Sequence, residues 1–263
     1  MKRFVASLAL LLAGMCVWAI TVTVERSYPN QAVVSWSSVE GTSHYDVYLD
    51  NQPVARFGGN IFSCTVGGNA NPLLSNHRYQ VIVASRDASD RTLDAAQVTV
   101  ETTSWSGSYR WTNPTDNDNK GRCVMLHYVV DDVPGGQMII KSELPGLGLQ
   151  VISPAEVIGS WVDYDDPSAE VYRANGLMFN TTSAKPSRFL VSSVTQDATG
   201  VQVEVKSKAL GMTFTTQSFY QFIITKEGKR ACVFWTTGSG LAATGIFNNP
   251  EKGSDGKFTL VEE

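Results

Sequence analysis

Residues Trp105–Cys123 read WSGSYRWTNPTDNDNKGRC, and here the chain changes character. Nowhere else do aromatic, acidic and backbone-bending residues crowd together so closely. Short alternating runs precede the stretch and longer ones follow it, so it reads as a seam between two β domains. Trp105–Trp111 is expected to form the first strand of the second domain, and Asp116–Gly121 the turn after it.

Upstream, from Thr21 to Val100, apolar residues recur at every second position, the period of a strand with one buried face. Turn residues divide this stretch into candidate strands at Thr21–Glu25, Ala32–Ser37, Tyr45–Asp50, Val54–Phe57, Phe62–Val66, Tyr79–Arg86 and Gln97–Thr102. Seven short strands in about 80 residues is the count of a β-sandwich. Trp36 in AVVSWSSV, Tyr45 and Val47 in HYDVYLD, and Leu73 six residues before Tyr79 in LLSNHRYQVIVAS carry a more specific pattern. On these residues the segment resembles a fibronectin type III domain, with Trp36 as the core tryptophan and Leu73 with Tyr79 as the tyrosine corner. One departure is that no proline separates Leu73 from Tyr79. The resemblance implies a spacer or interaction module without catalysis.

Downstream of the seam the chain is again strand-rich, with candidates at Arg122–Val130, Gln137–Ser142, Gly148–Ile152, Glu170–Arg173, Arg188–Val194, Gly200–Lys206, Thr213–Thr216, Phe219–Thr225, Arg230–Thr236 and Lys257–Val261. In GVQVEVK, Val201, Val203 and Val205 face one way and Gln202, Glu204 and Lys206 the other, so one side meets a core and the other water. Lys226-Glu227-Gly228-Lys229 is a hairpin turn between two of these runs. About ten strands joined by short turns predict an antiparallel barrel or a jelly roll. The GSYRW opening resembles the first strand of lipocalin-like barrels, a likeness that covers one strand.

The expected fold class is therefore all-β: a fibronectin type III-like sandwich over residues 20–103, then a larger antiparallel barrel or jelly-roll domain over 104–263. Residues 1–19 read as an export signal. Lys2 and Arg3 precede an apolar run, and Val17 and Ala19 stand at the two small positions a signal peptidase needs. Export of a bacterial type is thus expected, to the periplasm, the cell surface or the medium. Lipid attachment at Cys16 is the lesser alternative, because Met15 stands where a small residue belongs. No later run approaches the ~20 apolar residues of a membrane-spanning helix. A net charge of −4, with Lys and Arg scattered, offers no basic face for nucleic acid. Cys64, Cys123 and Cys232 remain after cleavage; a Cys123–Cys232 bridge and three buried thiols are both open readings.

Several constellations bear on chemistry. Asp116, Asp118 and Asn119 place side-chain oxygens near Gly121 as a calcium loop does, but Lys120 and His127 stand where an EF-hand needs oxygens. Calcium held by these three is an expectation, and a solvated turn is the alternative. Asp163, Asp165, Asp166 and Glu170 follow Trp161 in a second acidic stretch, which suits carboxylate chemistry on glycosides or a hydrated surface. Cys123 and His127 have zinc-ligand spacing, yet on a strand they stand ~13 Å apart. Gly238–Ala243 fits a dinucleotide fingerprint in letters only, since Gly245 and Pro250 interrupt the helix that such a site requires.

The reading that follows is a secreted, non-catalytic binding or adhesion protein that takes an extracellular glycan or protein surface through its second domain. No cofactor is expected beyond calcium. Trp161, Tyr164, Asp165 and Trp111 are the candidate ligand-binding residues, because aromatic rings stack on the apolar faces of sugars. The alternatives are a lipocalin-like small-molecule carrier, a glycoside hydrolase and a structural envelope protein.

Overall fold

The computed structural model describes residues 19–112, 123–132, 138–144, 148–152, 161–163, 178–179, 188–209, 211–238 and 257–263. All regular structure among them is β. No helix there is long and apolar enough to cross a membrane.

Seven strands precede residue 103: β1 (Val22–Ser27), β2 (Gln31–Trp36), β3 (His44–Leu49), β4 (Gln52–Gly58), β5 (Ser63–Gly67), β6 (Arg78–Arg86) and β7 (Thr92–Glu101). They form a three-stranded sheet ordered β1-β2-β5 and a four-stranded sheet ordered β4-β3-β6-β7. These are the two sheets of a seven-strand β-sandwich. The expected corner is present: Leu73 is buried, and the Leu74 amide donates to the Tyr79 hydroxyl at 2.8 Å. The missing proline does not prevent it, since the bond needs only a backbone amide held near the tyrosine tip.

Eleven strands follow: β8 (Gly107–Thr112), β9 (Cys123–Val130), β10 (Ile139–Leu144), β11 (Gly148–Ile152), β12 (Trp161–Asp163), β13 (Met178–Phe179), β14 (Arg188–Asp197), β15 (Gly200–Ala209), β16 (Met212–Ile224), β17 (Arg230–Gly238) and β18 (Phe258–Glu262). They make one curled antiparallel sheet in the order β12-β14-β15-β16-β17-β18-β8-β9-β10-β11-β13. Of the two architectures open from sequence, this is the barrel-like one. Its strands meander in chain order on either side of a central junction, where β18 pairs with β8 through Val261 with Arg110 and Glu262 with Tyr109.

The alternation read from sequence sets the faces. Val201 and Val203 are buried while Gln202 and Glu204 are half-exposed, and the same period carries Tyr220, Phe222 and Ile224 on β16 and Phe258 and Leu260 on β18 inward. Trp105, Tyr109 and Trp111 join this core. The β16–β17 turn closes as expected, with Thr225 N–H donating to Lys229 C=O at 2.8 Å and Gly228 at a φ of 78° that favours glycine.

The described residues fall into two compact units. One holds the residues up to Thr23, Ser35–Ser63 and Gln80–Val98; there the Trp36 ring meets Tyr45 at 5.5 Å and Phe57 at 6.0 Å. The other holds Val24–Val34, Cys64–Tyr79 and the chain from Thr99, and everything described next as a candidate site lies within it.

Candidate functional site

The second unit contains a cavity of about 540 Å³. Among the described residues six separate pieces of chain line it: the 74–77 turn ahead of β6, Trp105 ahead of β8, Asp131 and Asp132 at the end of β9, Met138 ahead of β10, the 196–200 turn between β14 and β15, and Phe222 of β16. Trp105 and Phe222 pack ring to ring at 5.3 Å and give the cavity an apolar wall. The rest of the lining is largely polar.

Asp131 is the centre of that polar part. It is nine-tenths buried, and its Oδ2 accepts from the Trp105 amide at 2.9 Å and from Asn76 Nδ2 at 3.3 Å. The same Asn76 nitrogen also donates to the Asp131 carbonyl at 3.0 Å. Burial raises the pKa of the Asp131 carboxyl, hydrogen bonds from Ser75 and the Trp105 amide work against that rise, and the neighbouring charge of Asp132 adds to it. Ser106 links the two acids, for its hydroxyl accepts from the Asp131 amide at 2.8 Å and donates to Asp132 at 3.1 Å. Asp197 caps its turn, accepting from the Thr199 hydroxyl at 2.5 Å and from Thr199 N–H at 2.7 Å, and these bonds, the hydroxyl's first, hold its pKa below the ordinary range against a smaller effect of burial. Gln196 Oε1 accepts from the Met138 amide at 2.6 Å.

The site is braced from behind. Tyr109 donates its hydroxyl to the Trp105 carbonyl at 2.6 Å. Arg230 donates to the carbonyls of Ser104 at 2.6 Å and Ser106 at 2.9 Å while it is paired with Glu262. The chain entering β8 is therefore fixed on both sides of Trp105, which makes the cavity wall a rigid element.

Of the residues singled out from sequence, Trp111 is buried against Phe258, ring centroids 5.0 Å apart and nearly perpendicular. It belongs to the core and offers no stacking platform. Trp161 opens β12, its backbone opposite Leu190, and its side chain lies outside the described residues. Tyr164 and Asp165 lie outside them too, as do Asp116, Asp118, Asn119 and Glu170. The cavity's acids were not picked out from sequence. The only hint was two consecutive aspartates directly after an alternating strand.

His127 was the one histidine in the second half available for catalysis or zinc. It lies in the core, its ring 5.3 Å from Tyr220 and 5.0 Å from Phe234, and neither nitrogen reaches a hydrogen-bond partner among the described residues. Burial pushes its pKa down to about 3, against a weaker opposing pull from the Leu126 backbone. Cys232 is a free thiol, fully buried, which settles against its pairing with Cys123.

Among the described residues only His44, Asp46 and Asp90, in the first unit, bring three metal-ligating atoms within 4.8 Å of one another. Arginines already occupy that cluster. Asp46 accepts from Arg56 at 2.7 Å and from Arg86 at 3.1 Å, so it reads as an ion-pair network.

No protein-family model matches this chain, and no curated protein does. Among solved structures the central fibronectin-III array of RIM-binding protein is similar to it at 12% identity and a TM-score of 0.26, over 73% of this chain and 92% of that one. Likeness at that level adds nothing to the strand order, which defines an all-β protein with a sandwich and a curled, barrel-like sheet.

Proposed function

We propose that this is an exported, non-catalytic binding or adhesion protein that holds an extracellular glycan in its second domain, over residues 104–263 with the 74–77 turn. The observation that carries the reading is the cavity itself. An apolar wall of Trp105 and Phe222 faces carboxylates and amides from Asp131, Asp132, Asn76 and Gln196. A sugar ring presents the same two characters, an apolar C–H face and a rim of hydroxyl donors and acceptors. The acids are held as acceptors by fixed N–H and O–H groups, an arrangement suited to holding a ligand's hydroxyls.

Trp161, Tyr164 and Asp165 extend this reading as residues that would touch a longer chain of sugars, and Asp116, Asp118 and Asn119 as a calcium loop. Residues 1–19 act as the export signal, and the sandwich of residues 20–103 serves as a spacer. A glycan array and affinity electrophoresis with the full mature chain test the proposal. Retention by at least one polysaccharide, weakened in Trp105→Ala and in Trp161→Ala, is expected. No retention by any glycan sinks it. The carrier alternative predicts instead that a small apolar dye binds and that polysaccharides do not.

A further inference from the structure

We infer that the cavity takes a ligand bearing a protonated amine, an amino sugar in the terms of the binding reading on which this inference rests, with the ammonium group set between Asp131 and Asp132. Among the described residues three carboxylates line the cavity, those of Asp131, Asp132 and Asp197, beside His77 and without a lysine or arginine. Among the described residues none of the three is paired with a cation. Two other acids are paired instead: Asp46, also buried, has two arginines, and Glu262 has Arg230. A carboxylate as buried as Asp131 with no counter-charge is costly, and the structure keeps it in place with hydrogen bonds from Trp105 and Asn76 rather than neutralising it. An arriving cation supplies the missing charge.

The form of the cation follows from the spacing. The cavity's carboxylates do not bring three oxygens within 4.8 Å of one another, so they do not converge on one metal ion. They are spread along a space of about 540 Å³ whose wall is aromatic. That suits an organic cation with an apolar body: the ammonium donates hydrogen bonds to carboxylate oxygens, and the ring or methylene skeleton lies on Trp105 and Phe222. An anionic ligand would meet uncompensated negative charge at Asp132 and Asp197.

The test uses one sugar backbone in three charge states: oligomers of glucosamine, of N-acetylglucosamine and of glucose, titrated calorimetrically into the full mature chain. The expected result is that the glucosamine oligomer binds about tenfold tighter than the other two, and that the advantage falls on adding salt. Asp132 is exposed and its Oδ1 accepts from Ser106, so Asp132→Asn keeps the acceptor and removes the charge. It should erase the glucosamine advantage without lowering the melting temperature. Equal affinity for all three oligomers overturns the inference while leaving glycan binding standing. A glucosamine advantage that survives Asp132→Asn overturns the placement. Failure of all three to bind overturns it as well, and the wider glycan array then decides the binding reading separately.

Discussion

Asn69 and Ile224 are joined by a two-way hydrogen bond across 155 positions of sequence: Asn69 Nδ2 donates to the Ile224 carbonyl at 2.8 Å, and its Oδ1 accepts the Ile224 amide at 2.9 Å. The side-chain amide thus imitates a strand partner at the end of β16. Asn30 Nδ2 also donates to the Asn69 oxygen, at 2.9 Å. Asp at this position accepts but cannot donate, so Asn69→Asp should lower stability by about 1–3 kcal/mol. Urea denaturation would measure it, and a cost no greater than that of a surface substitution would contradict the role.

His127 makes stability depend on acid. In the unfolded chain an imidazole takes its proton near pH 6.5, whereas the buried ring resists it down to about 3. Between those values protons favour the unfolded state, so the contribution is full above pH 6.5 and is lost as the pH falls. The slope from this one group is at most about 1.4 kcal/mol per pH unit. His127→Phe keeps a ring against Tyr220 and Phe234, and the melting temperature of this variant should fall less between pH 6.5 and 4 than that of the parent.

Gly200 sits at a φ of 153°, where β15 runs opposite Gln221, and a Cβ there would collide with the Tyr220 carbonyl oxygen. The neighbour is backbone and cannot rotate away. Gly200→Ala should cost about 2–4 kcal/mol and distort the cavity lip that Gly200 helps to line.

Cys64 and Cys232 should resist alkylation in the folded protein. Burial raises the Cys64 thiol to about 11 and Cys232 higher still, and the thiolate is the reactive form. Peptide mass mapping after iodoacetamide at pH 8 should find both unmodified, with Cys64 the first of the two to react as the pH rises. Rapid labelling of Cys232 at pH 8 would mean that the core opens readily.

Much of the fold was legible because its strands have one wet face. Val201, Val203, Gln202 and Glu204 declare β15 by their alternation, and the resemblance to a fibronectin type III domain carries the corner of Leu73 and Tyr79. β16 was harder. It reads as two runs, Thr213–Thr216 and Phe219–Thr225, yet forms one strand of 13 residues. Ser218 occupies an inward position in the same row as Tyr220 and Phe222, and a hydroxyl there hides the continuity of the face. Trp111 shows the converse limit, for an aromatic beside polar residues looks exposed until the opposing strand brings Phe258 against it. The cavity could not be read at all: six distant pieces of chain contribute to it among the described residues, and no local pattern records that Asp131 and Gly200 share a wall.

The pairing of β8 with β18 has a consequence for how the protein comes to be folded. The hairpins β8 to β11 and β14 to β17 are built from neighbouring segments, and each can form early. They become one sheet only when β18 inserts between β17 and β8, a contact that spans about 150 residues of chain. Until it arrives, the open flanks of β8 and β17 are unpaired strand edges. If the chain is exported as proposed, those edges need shielding by a chaperone from the moment β8 emerges until Phe258–Glu262 is available to bridge them.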